Sequence, residues 1–310
     1  MTRAVATVRS LPGVWVACVL LAACLAMADA RPAAADAYPG NETVVGNVRS
    51  ATVRQGESLI EIAREYGLGY NQIVAANPHL DPFVPGAGVT VAIPTSWIVP
   101  HATPVGTVVI NLSEFRLYYR FKVHWTTLLV TFPIGIGREG NETPIGTFRI
   151  IEKLERPTWY VPQSIKQENP ELPDQVPPGP DNPLGSHAMR LSLPSILIHG
   201  TNKPWAVGRM ASHGCIRLYP EDIPQLFRLV AVGTKVQIVR EPVKVGVRAG
   251  RVFLEVHQDT SYRGDILEEA VRLVGKKGML LEVGIDRIVR AVNEKRGYPV
   301  DITRLPKEGE

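Results

Sequence analysis

The chain has 310 residues, of which 45% are hydrophobic and 21% are charged, which indicates a globular protein of two or three domains and excludes an intrinsically disordered one. The formal net charge at pH 7 is +4, and two of the positive residues, Arg3 and Arg9, lie in a segment that we expect to be removed. The small remaining charge, without a basic cluster, excludes nucleic acid as the partner.

The first 30 residues have the pattern of an export signal. Arg3 and Arg9 precede an apolar run over residues 14–28, and alanine-rich sequence follows. The run is shorter than the roughly 18 residues that a membrane-spanning helix needs. The sequence LAAC, ending at Cys24, resembles a bacterial lipobox, whereas ADA at 28–30 and at 35–37 are ordinary cleavage sites. We therefore expect an exported protein of the periplasm or cell envelope, with lipidation of Cys24 left open.

Residues 31–50 are rich in Ala, Pro, Gly and Asn, and are predicted to be a tether. Residues 51–95 are predicted to form a small strand–helix–helix–strand unit. A strand at 52–54 leads into the helical pattern of SLIEIAREYG, which Ser58 caps and Gly67 ends. The pattern of NQIVAA predicts a second helix, and GVTVAIP closes the unit as a strand.

The stretches GESLIEIAREYG, IVAANP and VTVAIP, in this order, resemble the landmarks of a LysM module. This resemblance implies that residues 51–95 bind glycans containing N-acetylglucosamine, and it makes peptidoglycan the expected partner. The alternative interpretation is that the same residues are an inert spacer.

Residues 105–240 are predicted to be mainly β. TVVINLSEFRLYYRF contains two β-branched and aromatic runs separated by Ser113-Glu114, which is typical of a hairpin. Four later stretches, TTLLVTFPIGIG, TPIGTFRIIEKL, LPSILIHG and TKVQIV, are further strands, and YPEDIPQLFRLV is one short helix. This spacing predicts a sandwich-like or barrel-like sheet. Residues 157–183 contain eight prolines, and we interpret this insertion as a lid over a substrate cleft.

Residues 241–310 are predicted to be an α/β extension. PVKVGVRAGRVFLEVH alternates like an exposed hairpin that turns at Ala249-Gly250, and the patterns of GDILEEAVRLVGKKG and EVGIDRIVRAVNEKRG predict two amphipathic helices. No pattern in this region points to chemistry, so a packing or partner surface is expected.

MASHGCIRL, residues 210–218, contains the one cysteine that lies beyond residue 24. A cysteine nucleophile reacts as the thiolate, and it needs a base, a group that orients the base, and N–H donors for the oxyanion. His199, at the end of the strand SILIHG, is the candidate base. Gly214 lets the backbone approach a substrate, and the N–H groups of Gly214 and Cys215, with His213 beside them, are candidate donors.

Other interpretations of these residues stay open at this point. A lone cysteine is commonly buried filler, and a histidine at a strand end is commonly structural. His199, His213 and Cys215 are also three potential zinc ligands, but an H-x-C spacing lacks the C-x-x-C or H-x-x-x-H partner of most zinc sites, so we predict no metal. If the stretch is extended, Arg217 projects on the side of Cys215 as a fork for a substrate carboxylate.

The stretch IHGTNKPWAVGRMASHGCIRL, with TPIGTF and DNPLGSHAMRL upstream, resembles the signature of the YkuD-type L,D-transpeptidase catalytic domain. The resemblance covers residues 105–240 and is closest to the ErfK/YbiS-like subgroup, which attaches lipoprotein to peptidoglycan. It implies a mainly β, sandwich-like catalytic domain that needs no cofactor. The site residues that it implies are the nucleophile Cys215, the base His199, the orienting carbonyl of Gly200, an oxyanion hole of His213, Gly214 and Cys215, and substrate-binding Arg217, Ser212, His187 and Arg190.

The reaction implied by this resemblance is attack of Cys215 on the bond between diaminopimelate and D-alanine in a tetrapeptide stem, followed by transfer of the acyl group. An amine of diaminopimelate as acceptor gives a 3→3 cross-link, the terminal lysine of an outer-membrane lipoprotein gives a tether, and water makes the enzyme an L,D-carboxypeptidase. The competing hypotheses are a LysM wall-binding protein with an inactive catalytic domain and a hydrolytic cysteine protease.

Overall fold

The computed structural model describes residues 36–101 and 103–304. The predicted signal peptide over residues 1–30, with its lipobox at Cys24, lies outside the described residues. Within the two described ranges, none of the helices combines the length and the apolar character that crossing a bilayer requires.

The N-terminal region consists of short strands around a pair of helices. The strands are β1 (Ala37–Pro39), β2 (Val44–Gly46), β3 (Arg49–Thr52), β4 (Thr90–Ile93) and β5 (Ser96–Ile98), and the helices are α1 (Leu59–Glu65) and α2 (Tyr70–Ala76). β3 pairs antiparallel with β4, which gives the predicted βααβ order. Ser58 caps α1 as predicted, because its Oγ accepts a hydrogen bond from the N–H of Glu61 and its own N–H donates to the Glu61 carboxylate.

The central region is built on a mixed sheet. Its strands are β6 (Thr107–Asn111), β7 (Arg116–Val123), β8 (Thr126–Pro133), β9 (Ile136–Gly137), β10 (Gly146–Glu155), β11 (Trp159–Tyr160), β12 (Gln175–Val176), β13 (His187–Leu191), β14 (Leu197–His199), β15 (Met210–Ser212), β16 (Ile216–Arg217) and β17 (Lys235–Val239), and its helices are α3 (Gln163–Glu168) and α4 (Ile223–Leu229). The nine-stranded order is β1-β8-β7-β6-β17-β10-β13-β14-β16. Only β6/β17 and β14/β16 pair in parallel in this sheet. The predicted mainly β architecture is confirmed, including the turn at Ser113-Glu114 between β6 and β7.

The prediction of a tether over residues 31–50 is wrong for residues 37–46. β1 pairs with the edge strand β8, and β2 pairs with β5. Val44 and Val45 are fully buried, so removing this segment from its neighbours would expose apolar surface. Gly40 and Asn41, which favoured a tether by composition, form the turn between β1 and β2.

The proline-rich insertion has its own small structure. β11 and β12 pair as a short antiparallel ladder, and α3 lies between them in the chain. Asn182 closes the insertion at its base, where its amide donates to the carbonyls of Pro157, Val176 and Pro177. The two ends of the insertion are therefore held together at Asn182.

The C-terminal extension consists of β18 (Val243–Arg248), β19 (Arg251–Val256), α5 (Ile266–Lys276), α6 (Ile285–Glu294) and β20 (Val300–Asp301). The hairpin and both helices are as predicted, with the turn at Ala249-Gly250. The prediction that the hairpin is exposed is wrong: one of its faces packs under the two helices, and the opposite face meets the N-terminal strands, where a Cβ at Gly246 would lie 2.6 Å from Cγ2 of Val44.

A buried ionic cluster joins the extension to the rest of the chain. The ammonium of Lys244 lies 2.6 Å from a carboxylate oxygen of Glu114 and 2.9 Å from one of Glu255. It also donates to the carbonyl of Ile98 at 2.6 Å, and Nε2 of His257 lies 2.6 Å from Glu255. Because Lys244, Glu114 and Glu255 are buried, the three regions are held together by charges that cannot be separated without leaving one unpaired.

Candidate active site

The register of β14 and β16 brings the two central predicted residues to one face of the sheet. His199 lies opposite Arg217 in this parallel pair. Since side chains alternate along a strand, Cys215, two residues before Arg217, projects from the same face as His199. Ile216 projects from the other face into the core. The thiol has two backbone contacts just before and at the start of β14: the N–H of Leu197 donates to Sγ of Cys215 at 3.5 Å, and the thiol donates to the carbonyl of Ser195 at 3.5 Å.

His199 is buried and oriented by its own neighbour. Nδ1 lies 2.6 Å from the carbonyl oxygen of Gly200, so the proton is placed on Nδ1 and Nε2 is left as the acceptor. Burial, followed by the positive charge of Arg217, lowers the pKa of His199 to about 3. The imidazole is therefore neutral at ordinary pH, which is the form a general base requires.

The thiol of Cys215 rests in its protonated form. Burial raises the pKa of Cys215, and the hydrogen bond from Leu197 and the charges of Arg217 and Arg190 oppose this only in part. Cys215 and His199 are therefore a neutral thiol and a neutral imidazole, and a thiolate forms here only when the thiol gives up its proton.

The loop before Cys215 leaves two donors available. Gly214 has φ +96°, a conformation that side chains rarely adopt, and a Cβ there would lie 2.9 Å from Cδ1 of Ile196. Thr143 Oγ1 donates to the carbonyl of Gly214 at 2.8 Å, and Ser212 Oγ donates to the carbonyl of Cys215 at 2.6 Å. In residues 36–101 and 103–304, no protein acceptor takes the N–H of Gly214 or Cys215. Both N–H groups can meet an oxyanion.

The two arginines predicted to bind substrate both lie near the thiol. Arg217 has a buried Nε without a hydrogen-bond partner among the described residues, so its guanidinium keeps donor capacity for a ligand. Arg190 pairs in register with Leu197, whose N–H contacts Sγ of Cys215, and its Nε donates to Glu152 at 2.9 Å. Both guanidinium groups act to lower the pKa of the Cys215 thiol, against the larger effect of burial, because they place positive charge near the sulfur.

Two predicted histidines lie elsewhere. Ala188 is opposite His199 in the β13/β14 ladder, so His187 projects from the other face, where its ring is 4.6 Å from that of Phe227 on α4. The structure does not bring His187 to the thiol. The side chain of His213 is held by Glu168, at 3.1 Å from Nε2.

The three residues considered as zinc ligands therefore do not converge, because the imidazole of His213 is directed to the insertion. Among the described residues, the cluster with three suitable ligand atoms is Glu114, Glu255 and His257. The ammonium of Lys244 lies within 3 Å of both carboxylates and supplies the positive charge that a cation would bring.

Two candidate functional residues, Glu168 and Arg138, are not predicted by the sequence patterns. Glu168 on α3 contacts His213, and Nη2 of Arg138 lies 2.6 Å from the same carboxylate oxygen of Glu168 and 3.0 Å from Nε2 of His213. His213 and then Arg138 lower the pKa of Glu168. The proline-rich insertion thus touches the loop that carries the oxyanion donors, which fits the interpretation of a lid. The eight prolines of residues 157–183 indicate the insertion itself, but no sequence pattern within it distinguishes Glu168.

Replacing Arg217 with methionine is expected to raise the pKa of Cys215, because it removes a positive charge that stabilises the thiolate. Iodoacetamide alkylation of Cys215, followed by mass spectrometry from pH 6 to pH 11, should show the midpoint moving to higher pH in Arg217→Met. Arg138→Met is the matched control, since Arg138 is not among the charges that act on Cys215. An alkylation midpoint that stays at the wild-type pH or moves to lower pH contradicts the assigned effect of Arg217 on the pKa of Cys215.

Comparison with known proteins identifies two families along the chain. Residues 106–238 match the family model of the L,D-transpeptidase catalytic domain, and residues 51–87 match that of the LysM domain. The chain is 35% identical over 297 residues to the probable L,D-transpeptidase YcfS of Escherichia coli strain K12, covering 90% of this chain and 92% of that protein. It is 36% identical over 286 residues to the probable L,D-transpeptidase YbiS of the same strain, covering 86% and 92%. The chain belongs to the L,D-transpeptidase family and is an L,D-transpeptidase with a LysM domain.

Proposed function

We propose that this L,D-transpeptidase acts on peptidoglycan by covalent catalysis, with Cys215 as nucleophile and His199 as general base. The observation that carries the proposal is the pairing of β14 with β16, which brings Cys215, the residue directly before β16, beside the end of β14, where a neutral His199 imidazole is held by the carbonyl of Gly200. The substrate is the bond between diaminopimelate and D-alanine in a tetrapeptide stem.

Acylation begins when His199 Nε2 takes the proton of the Cys215 thiol and the sulfur attacks the carbonyl carbon. The carbonyl oxygen becomes an oxyanion, which accepts hydrogen bonds from the N–H groups of Gly214 and Cys215. The C–N bond then breaks, and the imidazolium returns its proton to the departing amine of D-alanine. A thioester remains on Cys215, and its acyl group keeps the energy needed for a second transfer without a nucleotide.

In deacylation an amine is the nucleophile and the thiolate of Cys215 is the leaving group. An acceptor amine gives its proton to His199 and attacks the thioester carbon, the C–S bond breaks, and the thiolate recovers the proton from the imidazolium. A low pKa of His199 keeps the base unprotonated before each step, and the imidazolium exists only while an adjacent negative charge is present.

Substrate binding is assigned to the charges beside the thiol. The peptide stem carries carboxylates, and Arg217 has an unpartnered buried Nε. Arg190 is paired with Glu152 in a partly exposed ion pair. Such pairs contribute only about 0–1 kcal/mol, so a substrate carboxylate can replace Glu152 at little cost. Ser212 contributes by holding the carbonyl of Cys215.

The LysM domain, residues 51–95, is proposed to bind glycan strands, and residues 105–240 to perform the transfer in the periplasm or cell envelope after export. Three acceptors are considered: an amine of diaminopimelate, a lysine of an outer-membrane lipoprotein, and water.

The acceptor is identified by incubating the enzyme and a disaccharide-tetrapeptide with a second tetrapeptide or with a peptide ending in the lipoprotein lysine. Chromatography with mass spectrometry is expected to detect D-alanine release together with an amine-linked product that exceeds the hydrolysed tripeptide. Tripeptide alone, even at high amine concentration, makes the enzyme a carboxypeptidase. No D-alanine release supports instead a wall-binding protein with an inactive catalytic domain.

A further inference from the structure

The turn that joins the two LysM helices, residues 67–71, contacts the segment immediately before the catalytic loop. The N–H of Tyr70 donates to the carbonyl of Val207 at 3.2 Å, and the N–H of Asn71 donates to the carbonyl of Gly208 at 3.3 Å. These two N–H groups belong to the first turn of α2, where no intrahelical acceptor exists for them. Residues 207–208 therefore complete the hydrogen bonding of the LysM helix.

The two backbones approach so closely that side chains are excluded. Gly208 has φ +81°, and a Cβ built there would lie 2.1 Å from the backbone nitrogen of Tyr70. A Cβ at Gly69 would lie 2.7 Å from Cα of Gly208. The guanidinium of Arg209 stacks on the ring of Tyr70, with Cζ 3.6 Å from the ring centroid. The contact is therefore built for one relative position of the two segments.

Hydrogen bonds connect this contact to the active site. The N–H of Gly208 donates to the carbonyl of Ile134 at 2.9 Å, and the carbonyl of Arg209 accepts from Ile136 at 3.0 Å. β15 then pairs with β9 and ends at Ser212, whose hydroxyl holds the carbonyl of Cys215 at 2.6 Å. A short series of hydrogen bonds therefore connects residues 207–209 to the carbonyl of Cys215.

The same turn also contacts the chain after the nucleophile. The hydroxyl of the buried Tyr219 donates to the carbonyl of Leu68 at 2.9 Å. The preceding residue, Leu218, donates its N–H to the carbonyl of His199 at 2.9 Å. Beside it, Arg64 of α1 forms a two-point ion pair with Glu221, at 2.7 and 2.9 Å. The turn therefore touches both ends of the segment that carries Cys215.

We propose that residues 67–71 of the LysM domain are a positioning element of the active site. They fix residues 207–209 and Tyr219, and through them the relative position of the Gly214–Cys215 donors, the thiol and His199. The inference rests on the proposed cysteine mechanism, and it adds that the LysM domain sets the rate of acylation even for a substrate too small to reach a glycan site. A misplacement of about 1 Å can lower a rate on the order of 10²-fold.

The test compares single-turnover acylation of the full chain by a disaccharide-tetrapeptide in three variants at the contact. Gly208→Ala inserts a Cβ between the two backbones and is expected to lower the acylation rate constant by up to about 10²-fold. Tyr70→Leu removes the ring under Arg209 and is expected to lower it several-fold. Tyr70→Phe keeps the ring and should retain the wild-type rate. Phe83→Leu changes an exposed aromatic of the same domain and is the matched control.

Two further readouts separate positioning from stability and from failure of the mechanism. Positioning requires the maximal acylation rate to fall while the half-saturating substrate concentration stays near the wild-type value, at temperatures where thermal unfolding finds each variant folded. Folded Gly208→Ala and Tyr70→Leu variants that acylate at the wild-type rate overturn the proposal. If the wild type itself forms no adduct, the proposed mechanism fails; iodoacetamide alkylation of Cys215 then still reports whether the variants change the thiol, and equal alkylation rates overturn the positioning role.

Discussion

Replacing His199 with glutamine is expected to lower the rate of acylation of Cys215 by about 10²–10⁴-fold, the usual contribution of a general base. Burial raises the pKa of the thiol, so the sulfur cannot lose its proton to water at neutral pH as readily as an exposed cysteine. The imidazole of His199, on the β14/β16 pair, is the described base assigned to take this proton, because the other contact of the thiol, the carbonyl of Ser195 at 3.5 Å, can accept a hydrogen bond but is too weak a base to take a proton. Glutamine keeps a polar group of similar size but cannot accept the proton.

Stopped reactions analysed by mass spectrometry measure this rate, with His124→Gln as control because His124 is exposed at the tip of the β7/β8 hairpin. The loss of acylation rate in His199→Gln should be smaller at high pH, where hydroxide deprotonates the thiol in place of His199. On the acid side, the low pKa of His199 predicts that the wild type keeps an unprotonated base down to about pH 4. A wild-type rate that already falls below pH 6.5 through protonation of His199, or a glutamine variant as fast as wild type, contradicts the assignment.

Replacing Lys244 with methionine is expected to lower the free energy of unfolding by about 3–5 kcal/mol, the cost of leaving a buried charge without its partner. Glu114 and Glu255 are completely buried, and methionine offers no charge to either. The change also removes the hydrogen bond to the carbonyl of Ile98. Urea unfolding measures the loss, and Lys276→Met, at an exposed position of α5, is the matched control.

The same cluster makes the free energy of unfolding depend on pH in the acid range. Burial opposes ionisation of Glu255, but Lys244 and His257 outweigh it, so the pKa of Glu255 is lowered. A lowered folded-state pKa contributes stability above the unfolded value of about 4.3, and this contribution is lost as pH falls through the folded pKa. The wild type should therefore lose more stability than Lys244→Met between pH 5 and pH 2. An unfolding free energy that is unchanged by Lys244→Met at pH 7 refutes the role of the cluster.

The features that the sequence predicts well are local ones. The cap at Ser58, the turn at Ser113-Glu114 and the hairpin turn at Ala249-Gly250 depend on a few consecutive residues. The motif around Cys215 predicts that Cys215 and His199 belong to one site, and the structure places both beside the β14/β16 pair.

The features that it does not predict depend on pairing between distant residues. β1 pairs with β8 about 90 residues later, and that pairing turns an expected tether into part of the sheet. The face on which His187 lies follows from the β13/β14 register, which composition does not specify. Lys244 belongs to a hairpin that alternates like an exposed one, and its buried charge is paired both with Glu255 on the neighbouring strand and with Glu114, 130 residues earlier in the chain.

Acyl transfer through Cys215 is tested by the intact mass of the protein after incubation with a disaccharide-tetrapeptide. We expect an adduct equal to the muropeptide without its D-alanine, present on the wild type and missing from Cys215→Ala. An unmodified wild type whose thiol still reacts with iodoacetamide, or the same adduct on Cys215→Ala, contradicts acyl transfer through Cys215.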